Sequence, residues 1–276
     1  MIYVELIKLV RRPRSWIAIA LVCSLPIIVA AFLATTHVAP PPGQGAAFLS
    51  AVLRDGSLYP AAAMAMVVPL FLPIAVSVLA GDSIAGEAAG GTLRYLLVRP
   101  VGRTRLLVAK LISLVAFVFA AVVAVVATSY VTGTVLFGSP PAVAVGQPGG
   151  VTSLSGVPLS STQLTLRLFG AVGFVTVSML GVAAIALFLS TVTDSALGAA
   201  LGAMAALVTS EILAVLDAAR VVQPYLPTRY LLAWVDFFRE PILWRDIDRG
   251  LAVQAVYVGV FLAAAWANFI TRDITA

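Results

Sequence analysis

Residues 111–166 contain no aspartate, glutamate, lysine or arginine, and neither do residues 56–81. A helix of about 20 apolar residues crosses the roughly 30 Å hydrocarbon core of a bilayer. Runs of that size recur along a chain of 276 residues, of which 61% are hydrophobic and 11% charged. Soluble domains carry roughly a quarter charged residues. A backbone in hydrocarbon must satisfy its own hydrogen bonds, and no segment alternates like a barrel strand. The expected fold is therefore all-α, a polytopic membrane protein with one transmembrane domain over 1–276. Six spans are expected, at about 16–34, 59–80, 106–130, 164–189, 195–216 and 250–270.

Arg11, Arg12 and Arg14 precede the first run as they would in a secretory signal, but five more spans follow. With no clean small-x-small cleavage site, a retained anchor is the better reading. Cys23 is the single cysteine, so no intrachain disulfide forms.

Basic residues in short loops orient such a chain. Lys8, Arg11, Arg12, Arg14, Arg94, Arg99, Arg103, Arg105, Lys110 and Arg272 fall on one side. The other side has Arg54, with Arg167 just inside the fourth span. The exception is the loop 217–249, whose arginines are matched by as many acids. Both termini and the loop 81–105 are thus expected in the cytoplasm, and 35–58, 131–163 and 217–249 outside. The N-terminus alternates Ile2, Leu6 and Leu9 with Glu5, Lys8 and Arg12 at helical spacing until Pro13. It reads as an interfacial helix on the cytoplasmic leaflet. In 217–249, a helix from Thr228 would align Tyr230, Trp234 and Phe237, giving short helices and an aromatic belt at the outer interface.

Few residues offer chemistry. His37 is the only histidine and sits in a loop near Pro40, which suits a solvated residue better than a ligand. Zinc spacing, a Gly-x-Ser-x-Gly elbow and a carboxylate cluster are absent from the sequence, so neither catalysis nor a metal site is expected. The net charge of +5 lies beside apolar spans, where it meets headgroups and not nucleic acid. Glu211 is the one acid clearly within a span. It can line a substrate path, pair with Arg167, or reach outer water. Lys8 and Lys110 are the only lysines, and neither follows a phosphate-cradling glycine loop. If ATP drives this chain, the ATPase is a separate protein.

The glycine-punctuated loop 81–110 has Asp82 and Glu87 as its only acids, followed by five basic residues. Its stretches Ile84-Ala85-Gly86-Glu87, Gly91-Thr92-Leu93-Arg94-Tyr95-Leu96-Leu97 and Arg99-Pro100-Val101-Gly102-Arg103, then Lys110, resemble the first cytoplasmic loop of type-2 ABC exporter permeases. That family includes the bacitracin-resistance and nitrous-oxide-maturation permeases. The Glu5–Lys8–Arg12 opening, the six spans and the 190–195 turn are similar too. Thr92 can cap a short rod over 92–98 that Pro100 stops. Leu93, Leu96 and Leu97 supply its apolar contacts and Arg94 a charge. The resemblance implies that this rod seats on an ATPase while Glu87 sets its position. It also implies a prokaryotic cytoplasmic membrane, two ABC ATPase subunits holding ATP and Mg2+, and a second permease chain, identical or related. This chain would bind no cofactor itself, and the cargo would be amphipathic or hydrophobic. The rival readings are a gradient-driven carrier using Glu211 and a membrane assembly factor that transports nothing. Gly198 and Gly202 form a Gly-x3-Gly face suited to a protomer interface or to internal packing.

Overall fold

The apolar runs fold as helices that outlast the hydrocarbon they can fill. In this computed structural model the described residues are 2–36, 38, 47–53, 55–90, 103–138 and 153–271. They form α1 (Ile2–Arg11), α2 (Pro13–Thr36), α3 (Tyr59–Val67), α4 (Phe71–Asp82), α5 (Ala85–Ala89), α6 (Arg103–Phe137), α7 (Ser161–Val192), α8 (Ala196–Val215) and α9 (Trp244–Thr271). The 35 residues of α6 reach about 52 Å at 1.5 Å per residue, well beyond one hydrocarbon core. Local caps decide where some helices begin. The Ser160 hydroxyl accepts from the Gln163 backbone N–H while the Gln163 side chain accepts from the Ser160 N–H, so α7 starts ahead of the apolar run. The Ser195 hydroxyl accepts from the Gly198 N–H and starts α8.

Among the described residues five helices are long and apolar enough to cross a membrane, or six if a bent pair counts as one span. The chain is a multi-pass membrane protein. The bent pair stands where the sequence places its second span. It breaks at 68–70 with a bend of 58° between its halves. Pro69 lies in the break, and Pro73 lies in the first turn of α4, where its missing N–H costs little. Pro26, by contrast, stays inside an unbroken α2, and the Tyr59 hydroxyl donates to its carbonyl.

The most buried span is α7, with α9, α4 and α8 packed against it, while α6 joins α1, α2 and α3 to the bundle. One end of the bundle gathers α1, the close of α4, α5, the start of α6 and the ends of α7 and α9. There the Trp266 indole donates to Thr104 Oγ1 at 3.1 Å, and the Asn268 amide to the Thr191 carbonyl at 2.8 Å. The first helix and the close of the last therefore lie at the same end of the bundle.

The opposite end corrects the expected aromatic belt. Residues 217–243 form turns and the 3-10 segments Asp217–Ala219, Gln223–Tyr225 and Ala233–Phe238, not α-helices. Trp234 and Phe238 are fully buried against Phe48, which stacks with Trp234 and meets Phe238 edge-on at a centroid distance of 5.0 Å. Phe237 packs against Trp244, so Tyr225 and Trp244 are the aromatic residues of this loop left outward. The loop plugs the end of the bundle, since burying an aromatic side chain stabilises more than leaving it at a rim.

Candidate functional site

The charged end of the bundle begins with a glycine. A Cβ at Gly81 would lie 2.9 Å from the Ala200 nitrogen and 3.1 Å from the Ala196 oxygen, so α4 and α8 touch backbone to backbone. The chain then leaves α4 and turns into α5, which strands several backbone groups. Ser190, fully buried at the end of α7, satisfies three of them. Its hydroxyl donates to the Gly81 carbonyl at 2.6 Å and accepts from the Ile84 and Ala85 N–H groups at 3.1 and 2.9 Å. A fourth, the Ser83 carbonyl, accepts from Lys110 Nζ at 2.6 Å. We expect Ser190→Ala to cost about 1–3 kcal/mol, because it leaves buried donors unpaired. Proteolysis at the α4–α5 turn checks this, and an unchanged cleavage rate would refute it.

Around that turn lies a network of seven charged side chains. Lys110 is 2% exposed, and its Nζ lies 2.7 Å from Glu87 Oε2 and 3.8 Å from Glu5 Oε2. Lys8 Nζ bridges Glu5 at 2.9 Å and Glu87 at 3.2 Å. Arg12 reaches Glu87 at 3.5 Å and Asp82 at 3.7 Å, and Arg14 donates to Asp82 at 3.1 Å. Gly86 makes room: a Cβ there would lie 2.2 Å from Asp82 Oδ1. Burial alone would push the Glu87 carboxyl up, but the Lys110 and Lys8 ammonium groups outweigh it and hold it below the usual carboxylate range. Burial pulls Lys8 down, and its bonds to Glu5 and Glu87 outweigh that and raise it above the usual lysine value.

This geometry corrects the reading of α1. Glu5, Lys8 and Arg12 do share a face, but that face turns inward onto α5 and α6, and Glu5 is buried. Ile2, Tyr3, Val4 and Val10 point outward instead. The helix is docked by charge, with apolar residues left for lipid.

Asp82, Gly86 and Glu87 are thus brought together here. Gly91, Thr92, Leu93, Arg94, Leu96, Leu97 and Arg99 lie outside the described residues, and Arg103 opens α6. Arg167 is buried and pairs with Glu240 and with the Arg239 carbonyl at 2.9 Å, not with Glu211, which is exposed on α8. A Cβ at Gly202 would meet Leu189 at 3.1 Å, whereas Gly198 has only its own cap residues nearby. The close approach of α8 to its neighbour runs through Gly81 and Ala200, outside the Gly-x3-Gly pattern. Sequence reasoning missed Ser190 and the burial of Lys110. A lone lysine entering a long apolar run was the available signal for the second.

Among the described residues no three His, Cys, Asp or Glu side chains gather as a metal group. The network is a structural joint: three acids and four cations that lock α1, α4, α5 and α6 together. No curated protein matches the sequence. The family described as "Protein of unknown function (DUF2705)" matches residues 25–275, nearly the whole chain, and the protein belongs to that family.

Proposed function

We propose that the chain is the membrane-spanning subunit of an ATP-driven exporter in the cytoplasmic membrane of a prokaryote. The bent pair counts as one of six spans, and both termini face the cytoplasm. Separate ATPase subunits carrying ATP and Mg2+ seat on the loop 81–105, and two permease chains enclose the path. The observation that supports this best is the joint itself. The segment leading into 91–102 is held through Glu87 and Ser83 to Lys110 of α6, through Glu87 to Lys8 of α1, and through its backbone to Ser190 of α7. A force applied at the loop by closing ATPases would pass into three helices instead of dissipating in a slack linker. The cargo is an amphipathic or hydrophobic molecule, since the spans carry few polar anchors.

The test is co-expression with any ABC ATPase that a neighbouring reading frame encodes. Leu93→Asp with Leu96→Asp should abolish co-purification of the ATPase, while the chain still inserts in the membrane. Undiminished co-purification would sink the coupling assignment, and failure of the unaltered chain to bind any ABC ATPase would sink the exporter reading.

A further inference from the structure

A groove of about 780 Å³ opens between α2 and α4, with the start of α8 along its wall. That volume lies within the roughly 300–1,000 Å³ of small-molecule sites. Its walls are apolar along their length, with Leu21 and Ile28 from α2 and Ile74 and Val78 from α4. One end is charged, carrying Lys8, Arg12, Arg14 and Lys110 against Glu5 and Asp82. On α4 the lining runs from Phe71 to Asp82, about 16 Å of helix rise. That is the depth of one leaflet of a roughly 30 Å hydrocarbon core.

Exposure within the charged end has a sign. The side chains of Arg14 and Arg12 are 74% and 42% exposed, while those of Asp82, Glu5 and Glu87 are 21%, 9% and 5% exposed. The acids are spent on the internal network, and although Arg12 touches Asp82 and Glu87 and Arg14 touches Asp82 through Nη1, these two arginine side chains are the network's most exposed members. A headgroup arriving at this end meets arginine forks, which bind phosphate oxygens in pairs.

We propose that the groove is a binding site for an anionic phospholipid, with an acyl chain along α2 and α4 and its phosphate at Arg12 and Arg14. The chemistry is set by three features together: a leaflet-long apolar trough, a cationic mouth and buried acids. A zwitterionic lipid would fit the trough and gain less at the mouth. A soluble phosphate would meet the mouth and lose the trough. The site needs no ATPase and stands or falls apart from the coupling role of the loop.

The experiment titrates the purified full chain in non-ionic detergent with phosphatidylglycerol, phosphatidylcholine and glycerol 3-phosphate, reading bound lipid by native mass spectrometry. Phosphatidylglycerol should bind roughly tenfold more tightly than phosphatidylcholine. Arg12→Gln with Arg14→Gln should erase that preference. Arg14→Gln alone, at the most exposed of the network's ion-paired side chains, should reduce it and reads the site even where the double variant fails to fold. Val78→Trp, at an exposed position, should fill the trough and weaken both lipids. Equal binding of the two lipids, a preference that survives both arginine variants, or glycerol 3-phosphate binding as tightly as phosphatidylglycerol would each overturn the proposal. So would a disulfide between two copies carrying Leu21→Cys in a Cys23→Ser background that phosphatidylglycerol fails to suppress, because a second chain would then fill the groove.

Discussion

Glu87→Gln should destabilise the charged end by up to about 3 kcal/mol, since the buried Lys110 ammonium then keeps only the Glu5 carboxylate, 3.8 Å away, and the Ser83 carbonyl. The loss should appear as earlier thermal unfolding and as protease access to α1. Replacing both partners, with Glu87→Leu and Lys110→Met, should recover most of it, because an apolar pair of similar volume needs no desolvated charge. A Glu87→Gln protein as stable as the original, with α1 still protected, would show that the network carries no weight. The pH dependence has two flanks. Glu87 is depressed below the ordinary 4.5, so its contribution is complete above that value and is lost as pH falls through the lower folded-state value. Lys8 is raised above the ordinary 10.5, so its contribution is complete below that value and is lost as pH rises through the higher folded-state value. Docking of α1 should therefore hold between about pH 5 and 10 and loosen on the acid side, and Glu87→Gln should flatten the acid flank.

Gly56→Ala should be the most damaging single methyl addition among the described glycines. Its Cβ would lie 2.2 Å from the Gly133 oxygen and 2.6 Å from the Gly138 oxygen, both backbone atoms. Neither can swing aside as a side chain would, and the Gly56 N–H is itself bonded to the Gly138 carbonyl at 3.1 Å. The cost should reach the top of the roughly 1–3 kcal/mol range for overpacking. Because this contact anchors the entry to α3 on α6, the fault should spread to the bent pair. Gly259→Ala is the control: nothing lies within 4 Å of its Cβ, and removing a helical glycine should leave stability equal or slightly higher. Purified yield and thermal unfolding of the two variants compare them directly, and equal behaviour would refute the close approach.

Much of the helical layout is legible along the chain because hydrophobic length is a local property. The runs around Ala30, Val122, Ala184, Ala200 and Val256 announce helices by composition, and Pro69 and Pro73 mark where the second run breaks. What composition cannot express is which polar groups meet. Lys8 and Glu87 are 79 residues apart, and Ser190 lies more than a hundred residues from the turn it supports. Glu5, Lys8 and Arg12 showed a charged face without showing whether water or protein lay against it. The aromatic residues of 217–249 look like a belt until Phe48, from the other side of the sequence, stacks with Trp234. The Gly-x3-Gly spacing of α8 was visible, yet the backbone contact fell to Gly81, because close packing depends on which helix arrives opposite.

Hydropathy and charge along the chain suffice to place it in a membrane as helices, with its charges gathered around 81–110 and the N-terminus. Hydrocarbon allows only helices or closed barrels, no segment alternates as a barrel strand must, and unpaired charges are poorly tolerated. That seven of the chain's charges close into one joint, with the acids inward and two arginines at the mouth of a leaflet-long groove, is a property of the packed helices. Pairing of ions is set by distances of a few ångströms between segments far apart along the chain, and packing alone supplies those distances.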